Sequence, residues 1–199
     1  MDNIRNHFIG TLNADYKTEL VTDTQYCLEL KKGILTIDFQ GSVSFEDWIH
    51  NFSFFKRWHH GDLVHSGFLK KWLAVRQFIY DFINKNKHEI DYVITRGHSQ
   101  GGAIALLAYL DLKRINRLFR PKCITFGAPR VFSVFQKKSE FEKVAQIETR
   151  RDIVCRVPLW LMFFKHCGRR VKIGPKSWID WIPSANAHRP ETYLEYMSK

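Results

Sequence analysis

The chain has 199 residues, 45% hydrophobic and 26% charged, so it can bury a sizeable core and is too apolar for a disordered polymer. Its 31 Lys and Arg against 20 Asp and Glu give a formal charge of +11, which favours anionic partners and says nothing about fold. Cys27, Cys123, Cys155 and Cys167 have no zinc-type spacing, and the longest apolar run, Val157 to Phe164, is too short to cross a bilayer.

The first sixteen residues are polar with isolated apolar positions and give no clear element. They lack the apolar run of a cleavable signal, so the expectation is a chain without a transmembrane segment, cytoplasmic or exported by another route. Thr24 to Leu30 alternates as a strand does, Lys31-Lys32-Gly33 marks a turn, and Gly33 to Phe39 reads as a second strand hairpinned to the first. Ser44 to Phe55 follows with Phe45, Trp48, Ile49 and Phe52 at helical spacing. That face suits a core-packed helix or a mobile lid able to open at a lipid surface. His65 to about Asn84 is a long amphipathic helix, with Phe68, Trp72, Val75, Ile79, Phe82 and Ile83 on one face.

Tyr92 to Leu106 organises the chain. Val93 and Ile94 favour a strand, and the Ala- and Leu-rich run after Gly102 favours a helix. Between them, Gly97-His98-Ser99-Gln100-Gly101 is a G-x-S-x-G turn, which holds a serine at a strained apex with its hydroxyl exposed. The glycines let strand and helix pass close together. The helix start aims free N–H groups at the place where negative charge develops. Beyond it, Cys123 to Phe126 and Ala145 to Thr149 read as buried strands, Cys123 as a buried thiol, the polar stretch from Ser139 as helical, Pro158 to Phe164 as an apolar loop, Val171 to Ile173 as a weak strand, and Arg189 onward as a helix. Strands alternating with helices predict one domain over 1–199, α/β in class, with a mostly parallel sheet. Cys155 and Cys167 could meet in a disulfide, with reduced thiols the preferred reading.

A serine needs a base to take its proton and a carboxylate to orient that base. In chain order after Ser99, the acids at hand are Asp152, just past a predicted strand, and Asp180. Asp152 is preferred for its strand-end position. The bases beyond it are His166, in a cationic run that opposes an imidazolium, and His188, in the loop before the last helix. The expected set is therefore Ser99, Asp152 and His188. Oxyanion donors are expected from the backbone N–H of Gln100 and from the loop after the second strand, at Ser42.

The motifs together resemble the class 3 lipases. Asp38-Phe39-Gln40-Gly41-Ser42 resembles that family's F-R-G-[ST] oxyanion segment, and the stretch from Ser44 its helical lid. Val64 to Phe68 resembles V-H-x-G-F, Gly97 to Ala103 resembles G-H-S-L-G-G-A, and Thr125 to Val131 resembles T-F-G-[AS]-P-R-V. Asp152 with Pro158 and His188 with Tyr193 resemble the segments that carry the family's acid and base, while Lys165 to Gly168 resembles a structural H-x-G. Gln100 stands where the family has Leu, which makes the site more polar, and Gln40 where it has Arg.

The resemblance implies an α/β-hydrolase fold with a short helical lid. It implies hydrolysis of lipid carboxylic esters as an acylglycerol lipase, through an acyl-enzyme and with no cofactor or metal. The partners expected are a lipid ester and an anionic lipid surface. Phospholipase A1, short-chain esterase and non-catalytic lipid-binding roles are the alternatives. No motif supports nucleic-acid binding.

Overall fold

A computed structural model describes residues 1–41, 55–115, 120–158 and 160–198. The expected lid residues Phe45, Trp48, Ile49 and Phe52, and the expected oxyanion donor Ser42, lie outside the described residues.

The strands form two sheets. In chain order, the larger sheet contains β1 (Lys17–Glu19), β2 (Thr24–Lys31), β3 (Ile34–Phe39), β6 (Tyr92–His98), β7 (Lys122–Phe126), β9 (Val144–Thr149) and β11 (Arg169–Ile173). They lie side by side in the order β1-β2-β3-β6-β7-β9-β11. The first three pair antiparallel, and every pairing from β3 to β11 is parallel. The predicted hairpin and mostly parallel sheet are thus both present.

The smaller sheet was not foreseen. It has four antiparallel strands in the order β10-β8-β5-β4, formed by β4 (Lys56–His59), β5 (Asp62–His65), β8 (Phe132–Ser133) and β10 (Phe164–Lys165). Each is too short for alternation to stand out, and they come together from distant parts of the chain. The apolar run expected as a loop from Pro158 instead splits. Leu161 and Phe163 are exposed, and Phe164 is buried in β10.

Helices cover both faces of the larger sheet. On one side lie α2 (Ser66–Asn86) and α3 (Gln100–Ile115). Every residue of α3 from Gln100 to Leu112 is buried, which explains why its sequence is apolar nearly all round. On the other side lie α1 (Asp2–Leu12) and α4 (Pro190–Met197), and here Phe8, Phe126, Ile147, Ile173, Tyr193 and Met197 form a second core cluster. The helix α1 was missed because its mean apolarity is low, although Ile4, Phe8 and Leu12 have helical spacing. It is held to the sheet by Asp38, whose carboxylate accepts from Thr11 Oγ1 at 2.9 Å and pairs with Arg96 Nη2 at 2.7 Å. The polar stretch expected to be helical from Ser139 is a short 3-10 turn, Lys138–Phe141. All four cysteines are free thiols, with Cys123, Cys155 and Cys167 buried. No described helix is long and apolar enough to cross a membrane.

Candidate active site

The parallel strands end at one rim of the sheet, where β6 delivers Ser99. Its φ is +57°, in the left-handed region that costs a non-glycine residue roughly 1–2 kcal/mol. The turn is fixed on both sides. Ser99 N–H donates to Phe126 O at 2.8 Å, and Gly102 N–H returns to Ser99 O at 3.0 Å. The close approach inferred from the glycines is real, since a Cβ on Gly101 would lie 2.0 Å from Phe39 O. This contact brings the end of β3 against the elbow. A Cβ on Gly41 would meet Ser99 Cβ at 3.2 Å and Gln100 N at 3.8 Å, so Gly41 packs against the elbow. Gln100 opens α3 and is buried, so the extra polarity expected of its side chain is not presented on an open surface.

The expected acid and base come from two later loops. Asp152 follows β9, is 1% exposed, and accepts from Val154 N–H at 2.8 Å through Oδ1. Its Oδ2 faces His188 Nδ1 at 2.8 Å and accepts from the Tyr193 hydroxyl at 2.7 Å. A carboxylate on Nδ1 puts the imidazole proton there and the lone pair on Nε2, the tautomer a general base requires. Tyr193 is positioned in turn by Thr149 N–H, 3.2 Å from its oxygen. Burial, with Cys155 and Asp152 next, raises the phenol well above its ordinary pKa, so it remains a donor. Gly127, at φ +59°, lies under the pair, where a Cβ would approach His188 Cε1 to 2.8 Å and Asp152 Oδ2 to 2.9 Å.

His98, immediately before Ser99, stacks on His188 with ring centroids 4.6 Å apart and 20° between planes. Its Nε2–H donates to His188 O at 3.1 Å, the direction a carbonyl acceptor demands. Burial first, then the neighbouring His188, lowers the His98 pKa to about 3, so it packs as a neutral ring. Phe8 from α1 closes the underside against His98, Phe126 and Tyr193.

The rejected candidates lie elsewhere. Asp180 is 4.0 Å from Arg150 Nη1 and accepts from Ser177 N–H at 3.2 Å, with no contact to His188. His166 is held inside the fold. Its Nδ1 is 2.6 Å from Gln146 Oε1 and its Nε2 is 2.6 Å from Cys155 O, and burial, then Arg170, lowers its pKa to about 3. A neutral ring donates once and accepts once, so Nε2–H serves the carbonyl and the Gln146 amide is turned to donate to Nδ1. That turn also satisfies the buried Gln146 Nε2.

Sequence reasoning missed the roles of His98, Tyr193 and Gly127. Each sits inside a quoted motif, but its role is a contact made across the fold. The five-residue step from His188 to Tyr193 was the one readable signal, because a residue that deep in the first turns of a helix points back toward the loop.

The family model for lipase (class 3) matches residues 36–162. A lipase of Rhizopus niveus is 33% identical over 179 residues, covering 81% of this chain and 43% of the relative. The chain thus spans under half the length of that relative. Among solved structures, lipase II from Rhizopus niveus superposes with a TM-score of 0.78 at 25% identity, over 87% of this chain and 77% of that one. A triacylglycerol lipase, described as having its catalytic centre formed by a serine protease triad, superposes with a TM-score of 0.77 at 26% identity over the same shares. The fold is that of the α/β-hydrolases, and the chain belongs to the class 3 lipase family.

Proposed function

We propose that this protein hydrolyses carboxylic esters of acylglycerol lipids, with Ser99 as nucleophile, His188 as general base and acid, and Asp152 orienting His188. The observation that carries this reading is the buried Asp152–His188 pair at 2.8 Å, with the His188 ring stacked on His98, the residue before a serine held at φ +57°. Ser99 Oγ attacks the acyl carbonyl while its proton passes to His188 Nε2. The oxyanion is met by the Gln100 N–H at the start of α3, where each such donor contributes roughly 3 kcal/mol to the transition state. Ser42 is the second donor in this scheme. His188 then protonates the departing alcohol, leaving an acyl ester on Ser99. Water, deprotonated by His188, releases the fatty acid.

The lipases among its relatives support an acylglycerol substrate. The net charge of +11 and the exposed Phe55, Phe135, Leu161 and Phe163 support action at an anionic lipid surface. Phe45, Trp48, Ile49 and Phe52 would form the lid that such a surface opens.

The test is hydrolysis of p-nitrophenyl esters from short to long chain, below and above their aggregation concentrations, together with emulsified acylglycerols and phospholipid vesicles. The expected result is activity that rises with aggregated long-chain ester and falls by about 10,000-fold or more in Ser99→Ala. Equal turnover by wild type and Ser99→Ala would overturn the mechanism. A preference for soluble short esters would overturn the lid and the lipid substrate.

A further inference from the structure

On the face of the larger sheet away from α1 and α4, a cavity of about 410 Å³ is lined by Arg130, Arg150, Arg156, Arg170 and Lys172, with Glu148 on its wall. Asp152 also borders it, so the loop after β9 carries the acid of the proposed triad and part of this basic wall. The strand alternation explains the placement. Ile147 and Ile173 point to the α1 and α4 side, while Glu148 and Lys172, paired in register, point to the other.

The cations outnumber the charges that answer them. Glu148 is buried and takes Arg170 at 2.7 Å and Lys172 at 3.9 Å, and Asp180 stands 4.0 Å from Arg150. Arg130 and Arg156 have no carboxylate partner among the described residues. Arg130 donates to the carbonyls of Arg156 and Pro158, and Arg156 to those of Trp181, Asp180 and Arg150. Burial first, and then the charge of Arg170, lowers the pKa of Arg130, and Glu148 offsets only part of that.

A second observation points to what the anion belongs to. The arginines around the cavity hang the backbone of the following loop. Arg150 donates to Gly174 O at 3.1 Å and Arg156 to Trp181 O at 2.7 Å. That loop presents Trp178 and Trp181 to solvent, 86% and 70% exposed. Tryptophans held outward beside a basic hollow suit the layer between lipid headgroups and acyl chains.

We propose that this cavity docks the phosphate-bearing headgroup of an anionic membrane phospholipid, with Trp178 and Trp181 seated in the interfacial layer beside it. The guanidinium groups offer paired N–H donors to phosphate oxygens. The inference rests on the reading that the protein works at a lipid surface, and it places one anchor of that contact on the loop that carries Asp152.

The test measures binding apart from turnover. Full-length Ser99→Ala protein is floated with phosphatidylcholine vesicles, pure or holding about one-fifth phosphatidic acid, and soluble-ester hydrolysis is measured in parallel on the Ser99 background. The double variant Arg150→Gln/Lys172→Gln is compared with Lys85→Gln/Lys87→Gln, which removes the same charge at the far end of α2. At about 1 kcal/mol per surface charge, the first pair should lower the partition coefficient about thirtyfold and the second less than about threefold. Trp178→Ala, at a fully exposed position, should weaken binding with an unchanged melting temperature, which separates docking from misfolding. Bromine-labelled acyl chains should quench the protein's fluorescence, and Trp178→Phe/Trp181→Phe should remove most of that quenching.

Equal losses in the two charge pairs would overturn the site in favour of diffuse attraction by net charge. Unchanged binding in Trp178→Ala and in Arg150→Gln/Lys172→Gln would place docking on another face and overturn it too. Glycerol phosphate bound in solution by these arginines, with no vesicle bound, would overturn the membrane as the source. Loss of ester hydrolysis with vesicle binding intact would instead strike the proposed function alone.

Discussion

Two histidine–aspartate pairs with buried carboxylates and the same contact distance occur among the described residues. His188 meets Asp152 at 2.8 Å and His59 meets Asp111 at 2.8 Å, and both carboxylates are 1% exposed. Their surroundings differ. Asp152 takes the Nδ1 of its histidine, just past the end of a parallel strand, and that histidine stacks on His98, the residue before the strained Ser99. Asp111 takes Nε2 with both oxygens, inside α3, and also accepts from Trp72 Nε1 at 2.7 Å with Arg76 at 3.9 Å. It clips the β4–β5 hairpin to α2 and α3. Distance and carboxylate burial therefore do not tell the two pairs apart. The ring nitrogen engaged, the element end it sits on and what lies beyond it do.

The sharpest break between the two comes from removing each carboxylate in turn. Asp152→Asn should keep most of the geometry but favour the wrong imidazole tautomer, lowering kcat about 10,000-fold. Asp111→Ala should leave kcat at low temperature within about twofold. It strands the buried donors of His59 and Trp72, and should lower stability by about 3 kcal/mol. Soluble-ester kinetics and urea melts on both variants check this. A large kcat loss in Asp111→Ala would erase the distinction.

Gly127 offers the next largest effect, because the second pair has no counterpart to it. Gly127→Ala puts a methyl within 2.9 Å of Asp152 Oδ2 and 2.8 Å of His188 Cε1, at a φ of +59°. The pair must shift, and a misplacement of order 1 Å costs about 100-fold in rate. A measured kcat near wild type would show that the pair tolerates displacement.

The fold was legible where one stretch of chain carries its own reason. Val93 to Leu112 spells strand, turn and buried helix by propensity and glycine placement, and β2–β3 spells a hairpin by alternation. That Asp152 and His188 meet was readable because the loops after strand ends gather at one rim of the sheet. What stayed hidden depended on distant partners. The second sheet is built from strands of two to four residues. Helix α1 has low mean apolarity, and its anchor is the contact of Phe8 with Phe126 and Tyr193. His98, Gly127 and Tyr193 matter through contacts that no local pattern encodes, and the basic cavity gathers residues from Arg130 to Lys172.

Acid should sharpen the contrast through the ring packed on the proposed base. His98 and His166 both have pKa values lowered to about 3 by burial, whereas an unfolded histidine titrates near 6.5. Above that value both states are neutral and the two rings contribute nothing to the pH dependence. Between about 6.5 and about 3, the unfolded chain binds protons that the folded protein refuses. Stability therefore falls as pH drops, by about 1.4 kcal/mol per pH unit for each ring. Urea melts should lose about 2 kcal/mol per histidine by about pH 5. His166→Gln should make the slope shallower by one ring's share, and an unchanged slope would mean that His166 is protonated in the fold.

The smallest expected effect concerns the extra donor that each carboxylate has. Tyr193 supplies it to Asp152 and Trp72 to Asp111, at 2.7 Å in both cases. Tyr193→Phe keeps the ring packed against Phe8 and His98 and deletes one oxygen. Asp152 retains His188 and the Val154 N–H, while Thr149 N–H loses its acceptor. The cost to stability should be about 1–2 kcal/mol. The consequence for rate depends on what the hydroxyl does to Oδ2. By sharing that oxygen with His188 Nδ1, it draws off part of the negative charge that stabilises the imidazolium formed during attack. Removing it leaves Asp152 a stronger acceptor for His188 and a less restrained one. The two effects oppose each other, so kcat should change by less than about fivefold while the melting temperature falls. A rate loss as large as that of Asp152→Asn would instead make Tyr193 part of the positioning machinery. The carboxylate would then owe its orientation to the last helix as much as to its own loop.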